Sequence, residues 1–221
     1  MRQWQMRGAA LLIGAILLSG CGSLASNPGA DFSDAPESRA RPALAIPRHA
    51  SYAEALAAWR GPEDVNAWIG AEFQYDMDRA VALSETARAG QPATPIIEPA
   101  AFYARPEGVC VDLARFAVET LRRVAPELRV RYLMIEFEPA SVRGQVLRRH
   151  WVAVYENADG IRVVADSKRP GIIAGPYQTL QQFAEEYARL RGRQIVHYRE
   201  LDSYQRKMKS AASRQVRERL E

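Results

Sequence analysis

The chain reads as an α+β protein in which N-terminal helices pack on an antiparallel sheet. Three observations lead there. Between Ser51 and Pro126 apolar residues recur at three- and four-residue spacing in several segments, the period of a helix with one buried face. Beyond Pro126 the period falls to two, which is the alternation of strands. The turn-forming run Glu156–Gly160 then joins two of those strands, so they are expected to pair as an antiparallel hairpin.

Each element follows from local chemistry. Ser51 and Glu54 have the spacing of a capping box and open a short helix with the apolar face Tyr52, Ala55, Leu56 and Trp59. Gly61 ends it, and Pro62, Glu63 and Asp64 suit the first turn of a second helix, because proline lacks the N–H that a first turn leaves unused and acids favour the positive end of the helix dipole. Val65, Trp68, Ile69 and Phe73 continue that helix, and a third is expected from about Asp78 to Ala89. Pro92, Pro95, Pro99 and Pro106 make 91–108 an ordered loop. The strongest helical pattern starts at Cys110, with Leu113, Ala114, Ala117, Val118 and Leu121 on the same side, and Pro126 stops it. Arg129–Phe137, Arg149–Glu156 and Gly160–Ala165 read as strands. Thr179 and Gln182 start a late helix carrying Leu180, Phe183, Tyr187 and Leu190, and Arg193–Arg199 forms a last strand.

The first residues lie outside this fold. Arg2 and Arg7, the apolar run Gly8–Leu18 and then Leu18-Ser19-Gly20-Cys21 have the layout of a secretory signal, and the run is short for a membrane span. The expected organisation is a signal over 1–20, a flexible tether over 21–50 rich in Ser, Pro, Ala and Gly, a domain over 51–204, and a basic helix or tail over 205–221. Removing the signal leaves 201 of 221 residues and, with Arg2 and Arg7 gone, reduces the formal charge from +4 to +2. That is enough chain for one ordinary core, and the balance does not call for a nucleic-acid partner.

Cys110 is the residue that asks for a chemical explanation. It stands at a helix N-terminus, where the dipole favours an anion. His150 begins a strand, and hairpin closure at Asp159-Gly160 brings Asp166, at the end of the next strand, beside it. A helix-start Cys, a strand-end His and a strand-end Asp are the three parts that nucleophilic catalysis requires. In that arrangement Asp166 holds the imidazole, His150 lowers the Cys110 pKa, and unpaired first-turn N–H groups receive an oxyanion. Asp112 bonds either to those first-turn groups or to a loop arginine, or acts at the site. Cys110, His150 and His197 lack the compact spacing of zinc ligands, so no metal or other cofactor is expected.

Two resemblances extend this reading. The stretch ending in Cys21 resembles the bacterial lipoprotein signal, which implies cleavage before Cys21, its lipidation, and attachment to the cell envelope, with Gly22 favouring the periplasmic face of the outer membrane. Gly108-Val-Cys110-Val-Asp112-Leu-Ala114-Arg-Phe116, Arg149-His150-Trp-Val-Ala-Val and Val163-Val-Ala-Asp166-Ser resemble the transglutaminase-like superfamily in chain order. The resemblance is to small bacterial transglutaminase-like cysteine peptidases. It implies a papain-like core with Cys110, His150 and Asp166 as catalytic residues, and a polar or aromatic residue upstream, from Asn66, Trp68, Gln74 and Tyr75, as a second oxyanion donor or cleft wall. Similar peptidases that use calcium hold it in acidic loops, and no such loop stands out here. The implied activity is hydrolysis of an amide in a protein, a peptide or the peptide part of peptidoglycan. Transamidation to an amine and peptide binding without chemistry are the alternatives, because Pro106-Glu107-Gly108-Val109 replaces the residues that usually precede the nucleophile in that family.

The lipoprotein signal is directly testable. Mass spectrometry of protein extracted from membranes is expected to find an N-terminal acylated cysteine at Cys21, whereas an unmodified mature terminus would make the protein a soluble one.

Overall fold

The computed structural model describes residues 33–36, 49–85 and 94–205. The signal, Cys21, most of the tether, residues 86–93 with the end of the expected third helix, and residues 206–221 lie outside them. The described chain is an α+β fold in which helices pack against an antiparallel sheet, and none of its helices is long and apolar enough to cross a membrane.

The N-terminal helices are α1 (Tyr52–Ala58), α2 (Pro62–Glu72) and α3 (Met77–Ala82). The Ser51 hydroxyl accepts the Glu54 N–H and the Glu54 carboxylate accepts the Ala50 N–H, so the box closes one residue earlier than the usual reciprocal pair. Between α2 and α3 lies β1 (Gln74–Tyr75), which pairs in parallel with β2 (Glu107–Gly108). The expected loop 91–108 therefore contains structure. Pro99 opens α4 (Pro99–Ala104), because a proline at the first helical position is compatible with a helix that it would break further along.

The long helix α5 (Cys110–Val124) runs through the centre. Val109 has no side-chain acceptor with which to cap it. The Asp112 carboxylate does that work instead, taking the Val109 N–H at 3.0 Å, the Ile97 N–H at 2.9 Å and two donors of Arg79 at 2.7 and 2.8 Å. One fully buried acid thus ties α3, the 94–98 segment and the entry of α5 together.

The sheet has the order β6-β5-β4-β3-β7 and every neighbouring pair is antiparallel. Its strands are β3 (Arg131–Val142), β4 (Gln145–Asn157), β5 (Gly160–Val164), β6 (Ala174–Tyr177) and β7 (Ile195–Leu201). β3 and β4 run further than their apolar alternation, into the polar stretch 138–148, and turn at Arg143 and Gly144, both with positive φ. β6 carries little pattern of its own and completes the edge beside β5.

Alternation sorts the sheet into two faces. Tyr132, Met134, Trp151, Ala153 and Val164 share a core with α1, α2, α4 and α5. Leu133, Ile135, Phe137, Val152, Val154 and Val163 share the other with Phe183 and Tyr187 of α6 (Leu180–Arg191). Thr179 caps α6 by accepting the Gln182 N–H. In the first core Trp68 lies 4.9 Å from Tyr103 and 4.7 Å from Phe116, centroid to centroid.

The loop after β5 is seated by backbone contact. A Cβ added at Gly70 of α2 would meet Gly171 Cα at 2.8 Å, and the reverse is equally close. Two glycines therefore let α2 and the loop following Asp166 approach closely.

The expectation of a tether over 21–50 needs correction at Ser33–Pro36. Ser33 and Asp34 are buried against the domain. Composition suggested a solvated linker, but one buried carboxylate with ion-pair partners is enough to seat it.

Because the Asp112 carboxylate answers two backbone N–H groups and a guanidinium, its loss leaves several buried donors unpaired. Asp112→Ala is expected to lower unfolding stability by about 3 kcal/mol or more, read as a fall in the urea midpoint. An unchanged midpoint would show that the cap is not holding α5.

Candidate active site

His150 stands at an uncovered edge of β4 because β5 ends early. β4 remains paired with β3 at His150, opposite Ile135, while β5 pairs with β4 only as far as Val164 opposite Ala153. Residues 149–151 therefore form an open edge on that side. Ala165 takes a left-handed conformation, φ 58°, which turns the chain out of the strand and places Asp166 beside the imidazole.

The contact is close. His150 Nε2 lies 3.0 Å from Asp166 Oδ1. Asp166 also accepts the Lys168 N–H at 3.0 Å, the Tyr187 hydroxyl at 2.9 Å and Arg169 Nε at 3.1 Å. The Tyr187 ring stacks on the His150 ring with centroids 5.7 Å apart. His150 and Asp166 are both buried. With Nε2 occupied, the imidazole presents Nδ1 to the opposite side, where Asp34 approaches it.

Cys110 is the first residue of α5 and is buried there. Its Sγ, a ring nitrogen of His150 and a carboxylate oxygen of Asp34 all lie within 4.8 Å of one another in a buried Cys-His-Asp cluster. Asp34 Oδ1 stands 3.2 Å from His150 Nδ1. That approach is close in distance without the alignment of a hydrogen bond, and Nδ1 has no hydrogen-bond partner. The same oxygen accepts Arg191 Nη2 at 2.8 Å, and Arg191 Nη1 donates to the Tyr187 hydroxyl at 3.0 Å.

The imidazole thus has a carboxylate at each nitrogen. Burial alone would push its pKa down, but the charge of Asp34, the Tyr187 oxygen and the hydrogen bond that the ring donates to Asp166 outweigh it and hold His150 well above its ordinary value. Burial would raise Asp34 and Asp166, but the His150 imidazolium and the guanidinium groups keep both far below the usual carboxylate range. Cys110 behaves contrary to the sequence expectation. Burial and then the Asp34 charge push its pKa up, against the opposing influence of His150 and the Trp151 N–H. These directions favour an imidazolium between two carboxylates with a protonated thiol beside it.

The remaining sequence candidates separate cleanly. Tyr75 lines the cleft at Cys110, with Leu83, Ile96, Leu147 and Trp151 forming the rest of an apolar wall. Trp68 is part of the aromatic core, Gln74 is exposed in β1, and Asp112 is spent on capping α5. None of these three lines the cleft. Asp34, Tyr187 and Arg191 belong to the site without having been candidates. Tyr187 and Arg191 are four residues apart on α6, a spacing that puts them on one face; Asp34 has no periodic signal around it.

Asp34, Cys110 and His150 offer one carboxylate, one thiol and one imidazole, a donor set that zinc accepts. The fit is poor here, because the Asp34 oxygen nearest His150 is the one already held by the Arg191 guanidinium, and a dication there would meet that positive charge. In comparisons with known proteins the chain matches no family model and no curated protein.

The raised thiol has a measurable consequence. Because the thiolate is the species that reacts, alkylation of Cys110 by iodoacetamide in the intact protein is expected to be slow at neutral pH and to rise with a midpoint above about 8.5, the ordinary thiol value. A midpoint clearly below that would show that the Asp34 charge does not govern Cys110.

Proposed function

We propose that the protein is a cysteine-dependent amide hydrolase with a papain-like core of the transglutaminase-like type, using Cys110 as nucleophile, His150 as general base and acid, and Asp166 as the residue that orients the imidazole. The observation that carries the reading is the placement of His150: Asp166 holds Nε2 at 3.0 Å, which leaves Nδ1 for a thiol at the first position of a buried helix. Asp34 cannot be the orienting acid in this scheme, since it approaches the same nitrogen that must serve Cys110.

The chemistry balances with these groups alone. When substrate displaces Asp34, the Nδ1 proton passes to solvent, and the neutral ring, with its Nε2–H donated to Asp166, takes the thiol proton at Nδ1 as Sγ attacks the carbonyl carbon and the carbonyl electrons move to oxygen. First-turn N–H groups of α5 receive that oxyanion. The imidazolium returns the proton to the departing amine as the C–N bond breaks, leaving a thioester at Cys110. His150 then takes a proton from water, hydroxide attacks the thioester, and the carboxylate product leaves with the thiol restored. Asp166 stays ionised throughout and fixes the ring. The apolar wall of Tyr75, Leu83, Ile96, Leu147 and Trp151 suits a peptide with an apolar side chain near the scissile bond. The lipoprotein-like signal supports a place on the cell envelope, where exported proteins and peptidoglycan peptides are the available amides.

Incubation of the wild type with proteomic peptides and wall fragments is expected to give a thioester at Cys110 by mass spectrometry, with hydrolysed products absent for Cys110→Ala. Amine-linked products would shift the reading to a transamidase, and unchanged ligands bound equally by both proteins would make the cleft a binding site only. Asp166→Asn is expected to keep its circular dichroism and to lose about 10³-fold in kcat; wild-type turnover in the folded variant would remove Asp166 from the mechanism.

A further inference from the structure

The segment Ser33–Pro36 is attached to the domain in the way an enzyme holds a peptide. Two of its backbone carbonyls are each received by a side chain: Arg191 Nη2 donates to Ser33 O at 3.2 Å, and Ser167 Oγ donates to Asp34 O at 2.8 Å. Those contacts read main chain and would accept any sequence. The third contact reads a side chain, the Asp34 carboxylate at 2.8 Å from Arg191 and 3.2 Å from His150.

The receiving group is prepared for an anion. The Arg191 side chain is 2 % exposed, and its guanidinium lies over the rings of Phe137 and Tyr187 at 5.2 and 5.6 Å. Among the described residues Asp34 is the carboxylate that it pairs with. If the segment leaves, a buried cation loses its counter-charge, which is strongly unfavourable unless another anion replaces it. The charged and titratable groups facing the cluster are Cys110 from α5, Arg149 and His150 from β4, Asp166 and Arg169 from the loop after β5, Tyr187 and Arg191 from α6, and Arg193 just after it, with Asp34 opposite.

Resting on the hydrolase reading above, we propose that Arg191, Ser167 and His150 form a binding site for an acidic peptide segment, that Ser33–Pro36 fills it in the resting protein, and that the occupying carboxylate inhibits by taking the imidazolium that the Cys110 thiolate would otherwise pair with. The anion at Nδ1 competes with the anion at Sγ for one cation. While Asp34 is there, the thiol keeps its proton; when it leaves, the imidazolium and the helix N-terminus act on sulfur alone. An acidic peptide supplied by another molecule fits the same three groups and replaces Asp34 as an inhibitor.

Iodoacetamide alkylation of Cys110 tests this without a substrate. At pH 7 Asp34→Ala and Asp34→Asn are each expected to react about tenfold faster or more than wild type, because a fall of one unit in thiol pKa gives about ten times the thiolate. Adding a synthetic peptide spanning Phe32–Pro36 to Asp34→Ala is expected to restore slow alkylation, while the same peptide with asparagine at the Asp34 position does not. Arg191→Lys and Arg191→Met in the Asp34→Ala background are expected to abolish that protection, with circular dichroism confirming the fold. Equal rates for wild type and both Asp34 variants would overturn the proposal. Acceleration in Asp34→Ala with none in Asp34→Asn would make the block steric and overturn the role assigned to the charge, and equal protection by both peptides would remove the acidic specificity. A His150→Gln, Asp34→Ala protein separates the two readings: alkylation as fast as in Asp34→Ala would show that His150 does not activate Cys110, a failure of the hydrolase mechanism whatever Asp34 does.

Discussion

A single buried imidazole lies between two carboxylates with a thiol at its open edge, and the surrounding structure is arranged by that charge problem. A lone ionised carboxylate in such a place is costly. Here Asp166 is answered by His150, Tyr187, Arg169 and a backbone N–H, and Asp34 by His150 and Arg191. Two acids and one imidazolium leave a deficit of positive charge, which the guanidinium groups from α6 and the loop after β5 supply. Tyr187 ties the system together by touching His150, Asp166 and Arg191 with one hydroxyl.

The fold brings these groups together from opposite faces of the sheet. Cys110 belongs to the core built with α5, whereas Tyr187 belongs to the core built with α6. They meet at His150 because β5 stops at Val164, leaving one edge of β4 uncovered between the two layers. Had β5 continued two residues further, its backbone would occupy that edge. The short strand and the left-handed Ala165 are therefore as much a part of the site as the side chains.

The two acids have opposite consequences for the sulfur. Asp166, across the ring from Cys110, holds the imidazole and sustains a cation that favours thiolate. Asp34, on the same side as Cys110, draws on that cation itself and raises the thiol. Placement about one aromatic ring distinguishes support from competition, since both carboxylates are ionised and both raise His150.

Much of this was legible in the sequence. Capping at Ser51 and Thr179, the Cys110 helix and its stop at Pro126, and the hairpin that sets Asp166 beside His150 all depend on interactions within a few residues or across one turn, and such interactions leave a period or a spacing in the chain. The β3–β4 extension, β6 and α4 left weaker traces, because polar strands and a proline-started helix depart from the usual apolar pattern. The sequence by itself determined that a cysteine at a helix start, a strand histidine and a following aspartate share one end of an α+β fold. Only the tertiary structure decided that Asp34 enters that site, that Arg191 and Tyr187 answer it from α6, and that the resting thiol is raised rather than lowered. Those outcomes rest on charges that are distant along the chain and share one buried volume, and neither composition nor periodicity records which of them meet.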